Sequence, residues 1–380
     1  MTGARAGLCA AVFGLLLAAC AQPLPTLVAT LDPTALTAPA TPLPPAATPL
    51  PLTATATPLP SATATPPPSP TPPPAARQLT HGGCCVRPFW SADGTQIRFI
   101  DRPSTTSPAG LWAVGTDGSE PIFVAARPGV YSPDETLVAY PSAGQTVIER
   151  VADGEKWTVP SSGRPVNFSP DSRRIAWQIA SSTVNFDRRT VQIWLASIDG
   201  SDAVKAADVV GGGLAAWFPD NLRLLITRRA AEGDNTELAI LDPATGEQQL
   251  VASAPRLRGV ALSPAGGWLA YAVTFSGDAN LDGLWLVRSD GTAARRLDSF
   301  GAYTWRSEGQ LLLLPLDPGA SGNRLVQIEA ATGQSRDLID PAATPLHIAE
   351  GNWSLSPDGA RLAFVAAEDH NIWLLDMPQP

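Results

Sequence analysis

The sequence predicts an all-β fold: a seven-bladed β-propeller of four-stranded antiparallel blades that occupies residues 77–380. Three observations lead to this prediction. A short turn motif recurs seven times, and each copy is followed by an apolar stretch with the alternation of a β-strand. The copies are spaced by about 43 residues, which is the length of a propeller blade.

The recurring turn is Ser-Pro-Asp-Gly or a close variant of it. Serine caps the first position of such a turn, proline presets φ at the second, and glycine relaxes the exit. The fifth and sixth copies carry Ala265 and Glu308 in place of aspartate, so we expect weaker turns there. In every copy a bulky residue stands three positions before the acidic one, and these residues are Trp90, Tyr131, Phe168, Trp217, Leu262, Trp305 and Leu355.

Each unit continues with three further strands after the inner one. The strand after the turn is apolar, as at 175–177, and the next often carries tryptophan, as at 372–373. A tight Asp-Gly turn such as 290–291 follows, which is a strong hairpin signal before the fourth strand. The seventh unit lacks a fourth strand, and residues 77–80 have its pattern. We therefore expect 77–80 to form the outer strand of the last blade and to close the ring, which protects exposed strand edges.

The N-terminal region has the pattern of an export signal and a spacer. Arg5 precedes an apolar run at 8–17, which is too short to cross a bilayer. The following Leu-Ala-Ala-Cys at 17–20 resembles the lipobox of bacterial lipoproteins. That resemblance implies cleavage after residue 19 and acylation of the Cys20 thiol, which would tether the chain outside the cytoplasm; an ordinary secretory signal is the alternative. Residues 20–76, rich in Pro, Thr and Ala, are expected to form a disordered stalk.

The Ser-Pro-Asp-Gly blades with their Ile-Trp strands resemble the TolB-type, WD40-like propeller repeats of bacterial envelope proteins. The resemblance covers 77–380 and implies a propeller of the cell envelope. TolB has an additional N-terminal domain, whose place in this chain is taken by the stalk.

Charge excludes some partner classes. The net charge is −9, so nucleic acid and an anionic lipid surface are unfavourable partners for the propeller. The sequence has no Gly-rich phosphate loop, Gly-x-Ser-x-Gly elbow or His-Glu-x-x-His motif. We expect a monomeric binding protein rather than an enzyme.

The turns and the variable loops of a propeller lie on opposite faces, and ligands usually bind among variable loops. Arg127, Arg164, Arg256 and Arg258 enter their blades at comparable places and are candidates for lining the central mouth. Arginine forks suit the carboxylates of a peptide or an acidic sugar. The alternative is ordinary pairing with the many acidic residues of the chain.

Two further patterns suggest metal sites. Asp278, Asn280 and Asp282 match the opening of a Ca²⁺ loop, although Ser289 stands where a bidentate glutamate would be; a solvated polar turn is the alternative. His81, His347 and His370 are expected in one sector of the variable loops, near Glu350 and Asp369. This arrangement is similar to propeller lyases that hold a metal with several histidines, and separate surface histidines are the alternative.

Cys84 and Cys85 are adjacent, so a disulfide between them would be strained, because neighbouring Cα atoms lie only about 3.8 Å apart. We expect one of the two thiols to be buried in the first blade.

These patterns favour a membrane-tethered, extracytoplasmic propeller that binds a protein, peptide or glycan of the envelope. The alternative is a metal-dependent lyase or hydrolase built on the three histidines.

Overall fold

The computed structural model describes residues 76–378 except 84–85, 103, 105, 182–184, 232, 321 and 342–345. In this part of the chain, strands form seven four-stranded antiparallel sheets arranged in a ring, so the predicted seven-bladed propeller is confirmed. No helix within the same residues has the length and apolar character needed to span a membrane. The export signal, Cys20, the stalk up to residue 75 and the Cys84–Cys85 pair lie outside the described residues.

The strands follow the chain order within each blade, from the channel outwards. Blade 1 contains β2 (Val86–Trp90), β3 (Gln96–Asp101), β4 (Gly110–Gly115) and β5 (Ile122–Ala125). Blade 2 contains β6 (Val130–Tyr131), β7 (Leu137–Ser142), β8 (Gln145–Arg150) and β9 (Lys156–Val159). Blade 3 contains β10 (Val166–Phe168), β11 (Arg174–Ala180), β12 (Thr190–Ser197) and β13 (Val204–Val210), with a short 3₁₀ helix at Phe186–Arg188. Blade 4 contains β14 (Gly213–Trp217), β15 (Leu224–Arg228), β16 (Thr236–Leu241) and β17 (Gln248–Ala254).

The remaining blades repeat this order. Blade 5 contains β18 (Leu257–Leu262), β19 (Trp268–Val273), β20 (Gly283–Arg288) and β21 (Arg295–Leu297). Blade 6 contains β22 (Gly301–Ser307), β23 (Gln310–Pro315), β24 (Val326–Glu329) and β25 (Ser335–Asp337). Blade 7 contains β26 (Ile348–Leu355), β27 (Arg361–Ala366) and β28 (Ile372–Asp376), and its fourth strand is β1 (Ala76–Gln78).

β1 pairs antiparallel with β28, with Ala76 opposite Leu375. The Leu79 N–H donates to the Ile372 carbonyl at 2.8 Å, which continues the pairing by one hydrogen bond. The Ile372 N–H, in contrast, donates to the Thr80 hydroxyl at 2.8 Å. In a regular strand pair this N–H would donate to a backbone carbonyl. Because the Thr80 hydroxyl accepts it instead, the regular strand ends at Gln78, two residues earlier than the sequence pattern suggested.

The Ser-Pro-Asp-Gly turns share one network. In blade 1 the Ser91 hydroxyl donates to Asp93 at 2.6 Å, and the same carboxylate oxygen accepts the Thr95 N–H at 3.0 Å. The hydrogen bond from Ser91 is the main cause that lowers the pKa of Asp93 to about 2. Equivalent Ser-to-Asp hydrogen bonds occur at Ser132–Asp134, Ser169–Asp171 and Ser356–Asp358.

Departures from the turn motif connect neighbouring blades. Glu135, Ser172 and Asn221 replace glycine at the fourth turn position, and all three adopt positive φ, between 60° and 62°. Each side chain accepts a backbone N–H from the turn of the preceding blade: Glu135 from Ala92 at 2.7 Å, Ser172 from Asp134 at 3.2 Å and Asn221 from Asp171 at 2.8 Å. Glu308, at the third position of its turn, accepts N–H groups from Ala265 and Gly267 of blade 5. The replacement of glycine or aspartate at these positions therefore supplies a hydrogen-bond acceptor to the turn of the preceding blade.

In the turns of blades 1 and 7, which keep glycine, an arginine of the preceding blade makes the connection. Arg361 donates to the Gly94 carbonyl at 2.8 Å, and Arg306 donates to the Gly359 carbonyl at 2.9 Å. Arg306 is buried and also donates to Gln327 at 2.7 Å. Desolvation lowers the pKa of its guanidinium.

The recurring bulky position holds the inner strands in register. The tryptophan indole N–H groups donate to carbonyls of the inner strand one blade earlier: Trp90 to Ser354 at 3.0 Å, Trp217 to Asn167 at 3.0 Å and Trp305 to Ala261 at 3.1 Å. The apolar core lies between adjacent blades, where fully buried side chains such as Leu225, Leu238 and Leu269 pack together. The scaffold therefore fixes the inner strands that lead to the channel.

Candidate functional site

The antiparallel order places the loops of each blade on two faces. The Ser-Pro-Asp-Gly and Asp-Gly turns share one end of the strands, which we call the turn face. The loops between second and third strands, and the links between blades, share the other end, which we call the variable face. Its loops range from the two-residue turn between β7 and β8 to the long excursions between β11 and β12 and between β19 and β20.

The links lead into the inner strands, so they surround the mouth of the central channel on the variable face. Arg127, Arg164 and Arg256 lie in these links, Arg258 lies at the start of β18, and all four are exposed. Arg87, which we did not single out, lies near the start of β2. Its signal was present: like Arg127, Arg164 and Arg258, it stands three or four residues before the bulky position of its blade.

These five residues, the mouth arginines, differ in their pairing from eight other described arginines of the protein. Their guanidinium groups form no ion pair with any described carboxylate, whereas ion pairs occupy Arg98, Arg150, Arg223, Arg228, Arg229, Arg288, Arg296 and Arg324. In a chain of net charge −9, unpaired exposed arginines gathered at one opening are a notable concentration of positive charge.

Aromatic rings position two of the mouth arginines. The Arg127 guanidinium lies 5.9 Å from the centre of the Tyr140 ring, and that of Arg258 lies 5.7 Å from the centre of the Phe275 ring. The Tyr140 hydroxyl donates to Glu149 at 2.6 Å, and burial together with this hydrogen bond raises the pKa of the tyrosine. These cation–π contacts leave the edges of both guanidinium groups available to an incoming anion.

An apolar cleft of about 370 Å³ opens beside the mouth between the inner parts of blades 1, 2 and 3. Its walls include Phe89, Ile100, Leu111, Tyr140 and Val166, and Arg87 lies at its lining. Its size falls within the range of small-ligand pockets, about 300–1,000 Å³. The sequence did not reveal this cleft, because residues from three separate blades assemble it.

The three histidine loops meet in the sector of blade 7, as their sequence positions predicted. The His347 carbonyl accepts the Ala367 N–H at 2.9 Å, and the loop after His81 reaches Asn371, whose side chain accepts the Gly83 N–H at 3.1 Å. The side chains, however, do not assemble into a metal site. Among the described residues no group of three or more His, Cys, Asp or Glu side chains could hold a metal ion.

The individual histidines show why their loops can meet without forming such a group. The His347 ring pairs with Glu368. His370 stands at the end of the tight β27–β28 turn with φ of 52°, and its N–H donates to the Ala366 carbonyl. His81 is exposed in the link that enters blade 1.

In the candidate Ca²⁺ loop, one oxygen of each aspartate carboxylate accepts a backbone N–H. Asp282 accepts the Ser276 N–H at 2.9 Å, which is the main cause that lowers the pKa of Asp282, and Asp278 accepts the Asn280 N–H at 2.9 Å. The Arg296 guanidinium donates to the Asp282 carbonyl at 2.8 Å. This geometry is that of a hydrogen-bonded polar turn with a cation close to its carbonyl oxygens.

Comparisons with known proteins show a similarity of fold alone. No protein-family model matches the sequence, and no curated protein matches it. Among solved structures, an oligogalacturonate lyase in complex with manganese matches at 13% identity and a TM-score of 0.57, over 81% of this chain and 97% of that one. Acylaminoacyl peptidase from Pyrococcus horikoshii matches at 12% identity and a TM-score of 0.55, over 79% of this chain and 52% of that one.

TolB from Acinetobacter baumannii also matches, at 14% identity and a TM-score of 0.40, over 80% of this chain and 79% of that one. At such identities a structural match describes architecture, and unrelated activities share the propeller. The two closer matches of this group are both enzymes of different chemistry, one a lyase and one a peptidase. What this chain has in common with them is the propeller fold.

Proposed function

We propose that the protein is a membrane-tethered, extracytoplasmic binding module that takes an acidic ligand, a protein, peptide or glycan, at the channel mouth of its variable face. The observation that supports this most directly is the set of five exposed mouth arginines without a described carboxylate partner. An anion that reaches the mouth gains charge-assisted, bidentate hydrogen bonds without first displacing an internal ion pair. Tethering through Cys20 rests on the Leu-Ala-Ala-Cys sequence alone.

A metal-dependent lyase or hydrolase built on His81, His347 and His370 is not proposed. That function requires the three imidazoles to share one ion, and the described residues do not group in this way.

The binding proposal is tested with a quadruple variant in which Arg127, Arg164, Arg256 and Arg258 become glutamine. The full-length protein is titrated with two probes, a glutamate-rich peptide and an acidic oligosaccharide, at low and high salt. We expect at least one probe to bind the wild type, with an affinity that falls as salt rises, and to lose most of that affinity in the variant.

The matched control removes the same charge from the turn face, by Arg150→Gln, Arg173→Gln, Arg223→Gln and Arg288→Gln. This control should bind the probe as the wild type does. An equal loss of affinity in both variants would show a general effect of charge rather than a site at the mouth. Unchanged affinity in the mouth variant would refute the proposed site.

Tethering is tested separately by metabolic labelling with a radioactive fatty acid. The wild type should incorporate the label and Cys20→Ser should not; label that persists in Cys20→Ser would refute acylation at this residue.

A further inference from the structure

The cleft beside the mouth combines an apolar wall with one cation. Phe89, Ile100, Leu111 and Val166 contribute apolar surface, and proline residues of two links and of β7 border it. Proline restricts the backbone, so this wall is largely formed before a ligand arrives. Arg87 is the charged residue among the described residues that line the cleft.

The Arg87 guanidinium is available to a ligand, while its backbone is held in place. The residue lies in the bulge of β2, where the pairing with β3 shifts register between Val86 and Phe89. Its φ is 55°, and its N–H donates to Asn352 of blade 7 at 3.1 Å. The guanidinium makes no hydrogen bond or ion pair with the described residues, and its side chain is exposed.

The other polar side chains of the wall are already satisfied. The Thr146 hydroxyl donates to the Arg164 carbonyl at 2.7 Å and accepts the Ser161 hydroxyl at 2.7 Å. The Tyr140 hydroxyl donates to Glu149. A sugar ring, which needs partners for several hydroxyl groups, would leave those hydroxyls unpaired against this wall. An apolar side chain has no such cost, and burying it is favourable.

A second groove continues from the cleft along the channel wall towards the turn face. It has a volume of about 350 Å³ and shares Phe89 and Val130 with the cleft, and it extends past Tyr131 and Ser132. An extended chain whose side chain occupies the cleft therefore has a path along the inner strands of blades 1 and 2. A small isolated anion would not use this path.

We propose that the cleft is the specificity subsite of the mouth for a peptide in which an apolar side chain lies within one residue of a carboxylate. The apolar side chain enters the cleft, and the carboxylate pairs with Arg87. This inference rests on the proposed function and narrows its ligand from acidic molecules in general to peptides. The carboxylate has two sources, a free C-terminus or an aspartate side chain, and both present the same group to the arginine.

The test uses calorimetric titration of the full-length protein with short acetylated peptides of Gly and Ser. Two peptides carry the shared chemistry: one ends in leucine with a free carboxylate, and one is C-terminally amidated with an internal Leu-Asp pair. Two comparison peptides replace leucine by serine, and two replace the carboxylate by an amide. We expect at least one leucine-and-carboxylate peptide to bind about tenfold or more tightly than both of its comparison peptides.

Variants assign this preference to the cleft. Arg87→Gln should reduce the affinity for the carboxylate peptide to that for its amide, about tenfold, and leave binding of the amide unchanged. Val130→Ser should reduce the advantage of leucine over serine, because Val130 borders the cleft and is 46% exposed. The matched controls lie on the turn face: Arg173→Gln, an exposed arginine without an ion pair to a described carboxylate, and Val151→Ser, where the valine is 54% exposed.

The outcomes separate this inference from the proposed function. If acidic peptides bind equally with leucine or serine, and Arg87→Gln has no more effect on binding than Arg173→Gln, the subsite is refuted while binding of anions at the mouth stands. If none of the peptides binds, the subsite is refuted. The proposed binding of anions at the mouth is then tested separately by the glutamate-rich peptide and the acidic oligosaccharide. Loss of the leucine preference in Val151→Ser as well would also overturn the assignment.

Discussion

The cross-blade contacts of Glu135 lead to a quantitative prediction about stability. One carboxylate oxygen accepts the Ala92 N–H at 2.7 Å, and the other pairs with Arg98 at 2.6 Å. The side chains of Arg98 and Glu135 are only 12% and 24% exposed. The Arg98 Nε and Nη1 atoms are buried without a partner among the described residues, so Glu135 is the main partner of this guanidinium.

Replacing Glu135 by glycine removes both contacts and relieves the positive φ of 60°. Breaking a fully buried pair costs about 3–5 kcal/mol, and partial exposure of this pair reduces the cost to about 2 kcal/mol. The lost hydrogen bond to Ala92 costs about 1 kcal/mol. Relief of the backbone returns about 1 kcal/mol. We therefore expect Glu135→Gly to lower the free energy of unfolding by about 2 kcal/mol.

The matched control is Asn221→Gly, because Asn221 occupies the same turn position with φ of 62° and accepts one N–H, but pairs with no cation. In this variant the cost of the lost hydrogen bond and the gain from relieving the positive φ nearly cancel. We therefore expect the free energy of unfolding to change by no more than about 0.5 kcal/mol. Both variants are compared with the wild type by urea denaturation followed by tryptophan fluorescence. Equal effects of the two substitutions, or a stabilised Glu135→Gly, would refute the assignment of stability to the Arg98 pair.

Three further predictions concern the scaffold. Arg306→Met should destabilise the protein by about 2–4 kcal/mol in the same assay, because the acceptors on Gln327 and Gly359 lose a buried donor; an unchanged unfolding midpoint would contradict this. Leu79→Ala should cost about 2–4 kcal/mol, since Leu79 is 3% exposed in the cluster beside β28, and a cost below about 0.5 kcal/mol would show that this seam contributes little. Acid should destabilise the turns, because the pKa of Asp93 is lowered to about 2 in the folded protein. The ionised Asp93 therefore contributes fully to the free energy of unfolding above the unfolded pKa of about 4, and this contribution is lost as pH falls towards 2. Urea midpoints from about pH 6 to pH 2 should fall less steeply below about pH 4 in Ser91→Ala than in the wild type, and equal slopes would exclude the Ser91 hydrogen bond as the cause.

The blades could be predicted from sequence because their signals are local and repeated. Each turn motif specifies its own geometry within four residues, and seven copies in one register reinforce each other. The same locality explains the wrong prediction for the end of β1. The alternation continues through 77–80, but the Ile372 N–H donates to the Thr80 hydroxyl instead of a backbone carbonyl, and a strand pattern in the sequence does not reveal such a contact.

The site was harder to predict because it depends on contacts between blades. Arg127 and Arg164 could be assigned from the sequence to the links before the inner strands, yet nothing in the sequence shows that they have no carboxylate partner. Asp278 and Asp282 fit a metal loop and a hydrogen-bonded turn equally well, because both need oxygen atoms at alternate positions. The structure shows that one oxygen of each carboxylate accepts a backbone N–H.

The pairing of Ala76 with Leu375 also bears on how the chain reaches its native state. A ribosome delivers β1 almost 300 residues before its hydrogen-bonding neighbour, so blade 7 cannot be completed until β28 has been synthesised. The six other blades are contiguous in sequence and can assemble in order of synthesis. Until β28 arrives, blades 1 and 6 each expose an apolar flank, and chaperones would encounter a ring that is still open at this seam.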